Sequence, residues 1–70
     1  MLYHLSMKVR DLQAELERLG WVLDRIRGSH HVYSHPKAKR SITVPIHGKD
    51  IPDFYAKSIL KQADQALRGK

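Results

Sequence analysis

"WVLDRIRGSHHVYSH", residues 21–35, contains two runs rich in β-forming residues on either side of a two-residue turn. Gly28 and Ser29 occupy the turn, and a short turn with glycine between two such runs is typical of a β-hairpin. The same stretch holds three of the five histidines of the chain, His30, His31 and His35. This stretch therefore predicts a β-hairpin at the centre of a sheet, and its histidines are candidate functional residues.

A third strand is predicted beyond Pro36 and the basic loop "KAKR", in "SITVPIH", residues 41–47. Its apolar residues alternate with Thr43 and Pro45, as expected for a strand with one buried face. Proline has no N–H to donate to a neighbouring strand, so this strand should lie at an edge of the sheet or end at Pro45. The three strands are predicted to form an antiparallel meander.

One amphipathic helix is predicted before these strands and another after them. Between Ser6, a candidate N-cap, and Gly20, a candidate left-handed stop, apolar residues recur at spacings of three and four: Val9, Leu12, Leu16 and Leu19. Asp50 is predicted to cap the second helix, with Pro52 in its first turn. Its apolar side is predicted to comprise Ile51, Tyr55, Ala56, Ile59, Ala63 and Leu67.

The order α-β-β-β-α predicts an α+β fold, in which two helices cover one face of a three-stranded antiparallel sheet. Residues 1–70 should form a single domain, since a chain of this length has no room for a second one. The other face of the sheet would then be open to a partner.

Composition narrows the classes of function. Thirteen Lys and Arg against seven Asp and Glu give a net charge of +6, and the pI is near 10.0. Such a domain attracts polyanions, of which nucleic acid is the commonest in a cytosol, although the charge alone is also compatible with mere solubility. The chain has no cysteine, no apolar run long enough for a membrane span and no signal-peptide pattern, so we expect a cytoplasmic protein.

The histidines of the hairpin do not have the spacing of a metal site. His30 and His31 are adjacent on a predicted strand and should point to opposite faces. His31 and His35 share a face but lie about 13 Å apart at the rise of a strand, whereas zinc ligands lie about 2.1 Å from the ion. We therefore predict no metal and no cofactor. Ser29 beside His30 is also weak evidence for a catalytic triad, because no Asp is clearly placed to orient the imidazole.

Cleavage of RNA requires neither a metal nor a protein nucleophile, because the ribose supplies its own 2′-hydroxyl. It requires a base for that proton, an acid for the leaving oxygen and cations around the phosphate, and histidine serves in either proton-transfer role near neutral pH. Gly28 and Ser29 would let the backbone approach a phosphate. Basic residues that flank the histidines and could hold phosphates are Arg25, Arg27, Lys37, Lys39 and Arg40.

The sequence resembles the HicA (YcfA-like) family of small mRNA interferase toxins from residue 7 to residue 63. The resemblance lies in "LGW" at residues 19–21, "RIRGSHHVYSHP" at residues 25–36, "ITVPIH" at residues 42–47 and "SILKQA" at residues 58–63. It implies a fold like that of the double-stranded-RNA-binding domain, in agreement with the order of elements above. Residues 1–6 would be an N-terminal extension.

The resemblance implies a toxin of a type II toxin–antitoxin system, a metal-independent endoribonuclease that cleaves mRNA and inhibits translation. His30, the first histidine after Gly-Ser, would be the catalytic general acid or base. His47 matches a histidine that often follows Val-Pro in the family. The partners implied are RNA and a cognate HicB-type antitoxin, and alone the protein is expected to be a monomer. The expected RNA-binding residues are Arg27, Gly28, Ser29, Lys37, Lys39, Arg40 and His47.

Two other functions are compatible with the sequence. The first is a non-catalytic RNA-binding module of the double-stranded-RNA-binding type, although "DIPDFYAKSILK" provides only Lys57 and Lys61 near the start of the last helix, where such modules have a run of lysines. The second is a protein-interaction domain with a basic face, which would leave His30 unexplained. An antitoxin is expected to place acidic residues over Lys37, Lys39 and Arg40, to occlude His30 and to contact Phe54 or Tyr33.

Overall fold

The computed structural model describes residues 5–68, which form two helices and two small sheets. In chain order the elements are β1 (Ser6–Lys8), α1 (Val9–Arg18), β2 (Val22–Arg27), β3 (His30–Ser34), β4 (Ile42–Pro45), β5 (Asp50–Pro52) and α2 (Asp53–Leu67). Strands β2, β3 and β4 form an antiparallel sheet in that order. The predicted α+β fold, like that of the double-stranded-RNA-binding domain, is confirmed. Within residues 5–68, neither helix has the length and apolar character needed to cross a membrane.

The structure contains a second, two-stranded sheet that was not predicted. Because of it, both helices begin later in the sequence than predicted. Strands β1 and β5 pair antiparallel, so Ser6 and Asp50 lie in strands and are not N-caps. The backbone supplies the acceptors instead: the N–H of Val9 donates to Lys49 O at 2.8 Å, and the N–H of Asp53 donates to Leu5 O at 2.7 Å. Because the first N–H of each helix is satisfied by the segment paired beside it, neither helix uses a side-chain cap.

The end of α1 was predicted correctly. Gly20 has a φ of +99°, the left-handed conformation that glycine adopts without steric cost. The N–H of Gly20 donates to Glu17 O and that of Trp21 to Leu16 O, each at 2.9 Å. These two bonds form a Schellman motif, and they direct Trp21 into the core, where it is 1% exposed.

The hydrophobic core lies between the helices and one face of the three-stranded sheet. Tyr33 is 1% exposed, so the expectation that it contacts a partner is wrong. Tyr55, predicted on the apolar side of α2, is 40% exposed. Ile51, predicted on the same side of the helix, is buried but belongs to strand β5. The core cluster is Val9, Leu12, Leu16, Trp21, Tyr33, Ile42, Val44, Ile51, Ala56, Ile59 and Ala63.

Candidate active site

The register of the three-stranded sheet determines which side chains share the face away from the helices. His30 pairs with Arg27 of β2 and with Pro45 of β4. Two residues along, Val32 pairs with Arg25 and Thr43. Since paired residues on neighbouring strands lie on the same face, these rows form the open face. Val32 is buried there but does not belong to the core cluster on the helix side.

The predicted separation of His30 and His31 is confirmed. His31 pairs with the fully buried Val44, on the face that the helices cover. Its Nδ1 accepts a hydrogen bond from Nε2 of Gln13 in α1, at 3.1 Å. His31 is therefore tied to the fold, whereas His30 is exposed on the open face.

His35 also has a structural role. Its Nδ1 accepts a hydrogen bond from the N–H of Lys37 at 3.0 Å. That bond assigns the ring proton to Nε2, which donates to Leu19 O at 3.0 Å. The ring also meets Trp21 edge-on, with 5.2 Å between centroids. His35 thus joins the end of β3 to the end of α1 and is not free to act on a substrate.

The turn of the hairpin brings a second histidine to His30. Gly28 has a φ of +62° and Ser29 does not have a positive φ, the pattern of a type II′ turn. Ser29 O accepts a hydrogen bond of 2.7 Å from the N–H of Ile46, just beyond the end of β4. This bond holds the chain after Pro45 against the turn. The His47 ring lies 6.4 Å from the His30 ring between centroids, at an interplanar angle of 84°.

Arginines dominate the charge around His30. A shallow cleft on the open face is lined by His30 together with Arg25, Arg27, Val32, Ser41 and Thr43. Arg25 Nη1 also bonds the exposed carboxylate of Asp24 at 2.8 Å, but none of the described residues that line the cleft is acidic. The cleft therefore favours an anion. Arg25 was named among the basic residues that could hold phosphates, whereas Ser41 and Thr43 were not expected here. The β3–β4 register, which pairs Thr43 with Val32, brings β4 to the cleft.

The remaining basic residues of the expected RNA-binding set lie elsewhere. Lys37, Lys39 and Arg40 belong to the loop between β3 and β4, at the end of the sheet away from His30. Ser34, the last residue of β3, is about 13 Å from His30 at the rise of a strand. Arg40 lines a different cleft, with Gln62 and Gln65 of α2. Contact of one ligand with both groups would require it to extend along the sheet.

No group of three or more His, Asp or Glu side chains is arranged to hold a metal within residues 5–68. The cleft is lined by two arginines and the imidazole of His30, and the His47 ring lies beside His30. This set provides positive charge and side chains that can accept or donate a proton. It is suited to holding an anion and to moving protons beside it.

Comparison with known proteins identifies the family of the chain. A family model described as the HicA toxin of bacterial toxin–antitoxin matches residues 9–65. The search of curated proteins finds no match. The matched region includes both helices up to residue 65, all three strands of the main sheet, and both His30 and His47. The chain belongs to the HicA family of toxins from bacterial toxin–antitoxin modules.

Proposed function

We propose that this toxin is a metal-independent endoribonuclease that cleaves mRNA and thereby inhibits translation, with His30 as a catalytic residue. The observation that supports this most directly is the position of His30, exposed on the open face of the sheet in a cleft with Arg25 and Arg27. The structural bonds made by His31 and His35 leave His30 as the histidine of β3 available to a substrate.

The chemistry follows from the ribose. The 2′-hydroxyl oxygen attacks the adjacent phosphorus, and the bond from phosphorus to the 5′ oxygen of the next nucleotide breaks. The arginines would stabilise the charge that accumulates on the phosphoryl oxygens, and His30 would transfer a proton at one of the two reacting oxygens. The backbone at Gly28 and the hydroxyl of Ser29 would approach the phosphate, and Lys37, Lys39 and Arg40 would attract the rest of the strand.

The structure also bears on the rival function, a double-stranded-RNA-binding module that cuts nothing. Near the start of α2, Lys57 bonds Asp53 at 3.2 Å, so its charge is partly neutralised. The positive charge that such a module needs near the start of this helix is correspondingly small. A binding module also does not require two imidazoles side by side.

Membership of the family implies a cognate antitoxin; we propose a HicB-type antitoxin that covers His30. The edge strand β2 offers a docking surface, because all six of its residues are exposed. Acidic residues of a partner laid along β2 would meet Arg25 and Arg27 and exclude RNA from the cleft. Apolar contacts are available at Val22, Leu23 and Ile26, which are 59%, 41% and 56% exposed.

The test is cleavage of a single-stranded oligoribonucleotide by the purified toxin with EDTA present. We expect cleavage of the RNA and survival of the matching DNA, which has no 2′-hydroxyl. The variant His30→Gln should lose about 10²–10⁴-fold in rate, while His31→Gln, on the covered face, serves as the matched control. Binding of RNA without cleavage by the wild-type protein would instead identify a binding module. Activity lost in EDTA and restored by a divalent ion would identify a metal enzyme.

A further inference from the structure

His47 lies beside His30 in an arrangement that RNA binding alone does not require. The two rings are 6.4 Å apart between centroids and nearly perpendicular. Both residues are exposed. The position of His47 is imposed from two sides: by the pairing of His30 with Pro45, and by the bond from Ile46 N–H to Ser29 O at 2.7 Å. The hairpin turn and the end of β4 therefore hold the two imidazoles together as a pair.

Attack by a ribose 2′-hydroxyl involves two proton transfers at two different oxygens. The attacking oxygen must lose its proton, and the departing 5′ oxygen must gain one. These oxygens lie on opposite sides of the phosphorus in an in-line displacement, so two separate groups serve the reaction better than one. Of the residues that line the cleft in the described part of the chain, His30 is the one with an imidazole, a side chain that can serve as a general base or a general acid. The ring of His47 is the adjacent imidazole.

We propose that His47 is a second catalytic residue, and that His30 and His47 divide the roles of general base and general acid between them. The proposal rests on the endoribonuclease function proposed above. One neutral imidazole takes the proton of the 2′-hydroxyl as the new oxygen–phosphorus bond forms. The other, protonated, gives its proton to the 5′ oxygen as the old bond breaks. The products are a 2′,3′-cyclic phosphate and a 5′-hydroxyl, and exchange with water restores both imidazoles.

The two rings meet edge to face and must rotate apart slightly to admit a phosphate between them. No hydrogen bond joins His30 and His47 among the bonds of residues 5–68, so their ring nitrogens remain available. Arg27, paired with His30, adds charge beside the same space. A group placed between the imidazoles would be within hydrogen-bond reach of both after small rotations of the exposed side chains.

The first test is the pH dependence of cleavage by the full chain under single-turnover conditions. The wild-type protein should give a bell-shaped profile, because one imidazole must be neutral and the other protonated. His47→Gln should lower the maximal rate about 10²–10⁴-fold and remove one limb of the bell. His30→Gln should remove the other limb. His31→Gln, which removes an imidazole from the covered face, should keep both limbs.

The second test assigns the roles with a substrate whose 5′ bridging oxygen is replaced by sulfur. A thiolate departs without a proton, so this substrate does not need the general acid. The variant that lacks the acid should recover to within about tenfold of the wild-type rate on it, while the variant that lacks the base should not recover. Circular dichroism and a thermal melt verify that each variant is folded, as expected for substitutions at exposed positions.

The outcomes separate this inference from the proposed function. If the wild-type protein cleaves RNA but His47→Gln keeps the bell-shaped profile with a small loss of rate, His47 only positions the substrate and the inference is wrong. It is also wrong if the sulfur substrate restores both variants equally or neither of them. If the wild-type protein does not cleave RNA, the proposed function itself fails, and this inference fails with it.

Discussion

Replacement of Gly20 by alanine should destabilise the fold through two separable effects. The first is backbone strain, since Gly20 has a φ of +99°, a conformation that costs an L-residue about 1–2 kcal/mol. The second is a collision, because a Cβ at Gly20 would lie 2.7 Å from Nε2 of His35. The ring must then move away from its place between the end of α1 and Trp21.

The magnitude of the second effect follows from what the displaced ring loses. His35 makes two hydrogen bonds, with Leu19 O and with the N–H of Lys37, each contributing about 0.5–1.5 kcal/mol. Its edge-on contact with Trp21 contributes about 0.5–1.5 kcal/mol more. Together with the strain, Gly20→Ala should lower the free energy of unfolding by about 3–6 kcal/mol. A domain of this length has only about 4–10 kcal/mol in all.

Gly48 provides a matched control. Its φ of +91° is close to that of Gly20, but a Cβ there would meet no atom of residues 5–68 within 4 Å. Gly48→Ala should therefore show the strain alone. The difference between the two variants isolates the contribution of His35, provided that unfolding in urea is two-state with equal m-values.

A double-mutant cycle completes the test. In a His35→Ala background there is no ring for the new Cβ to displace, so Gly20→Ala should cost no more than Gly48→Ala does. Equal urea midpoints for Gly20→Ala and Gly48→Ala in the wild-type background, or additive effects of Gly20→Ala and His35→Ala, would refute the argument.

Three further predictions concern binding and pH. Replacement of Arg25 or Arg27 by glutamine should each weaken single-stranded RNA binding and reduce the salt slope by about 0.7; titrations across salt concentrations check this, with Lys57→Gln on α2 as the control. Ile26→Asp should weaken antitoxin binding at least about tenfold in a binding titration and leave RNA cleavage unchanged, since Ile26 faces away from the cleft; unchanged affinity would exclude this edge. Burial raises the pKa of the Tyr33 phenol, so the folded protein holds that proton more tightly than the unfolded chain. The resulting stability should be lost as pH rises above about 10, and urea midpoints of Tyr33→Phe should show a weaker decline than wild type.

The parts of the fold that follow from local patterns were predictable. Period-two alternation in residues 21–35 correctly separated His30 from His31, and the spacing of apolar residues together with Gly20 located the end of α1. Ser6 and Asp50 were misassigned because a strand of three residues is too short to show an alternating pattern of apolar and polar residues. In addition, the pairing of Ser6 with Pro52 joins segments far apart in sequence. No local pattern reveals that a neighbouring strand will satisfy the first N–H of a helix.

The candidate site shows the same limit. Lys37, Lys39 and Arg40 are close to the histidines in sequence, yet the direction of β3 takes them to the far end of the sheet. Conversely, seventeen positions separate His30 and His47 in the sequence, and only the β3–β4 register brings their rings together. Proximity in the sequence therefore does not determine which residues lie near His30, whereas the direction and register of the strands do.

Because side chains alternate along β3, the residues that stabilise the fold and the residue proposed to act on RNA lie on opposite faces of the strand. His31 and Tyr33 face the helices, where one is bonded to Gln13 and the other is buried in the core. His30 faces the open side, where it contributes little to the core and remains accessible. A strand of five residues thus supplies packing on one face and chemistry on the other. It follows that substitutions at His30 and His47, both exposed, should lower activity about 10²–10⁴-fold with little loss of stability, whereas truncation of the buried Tyr33 to alanine should strongly destabilise the domain.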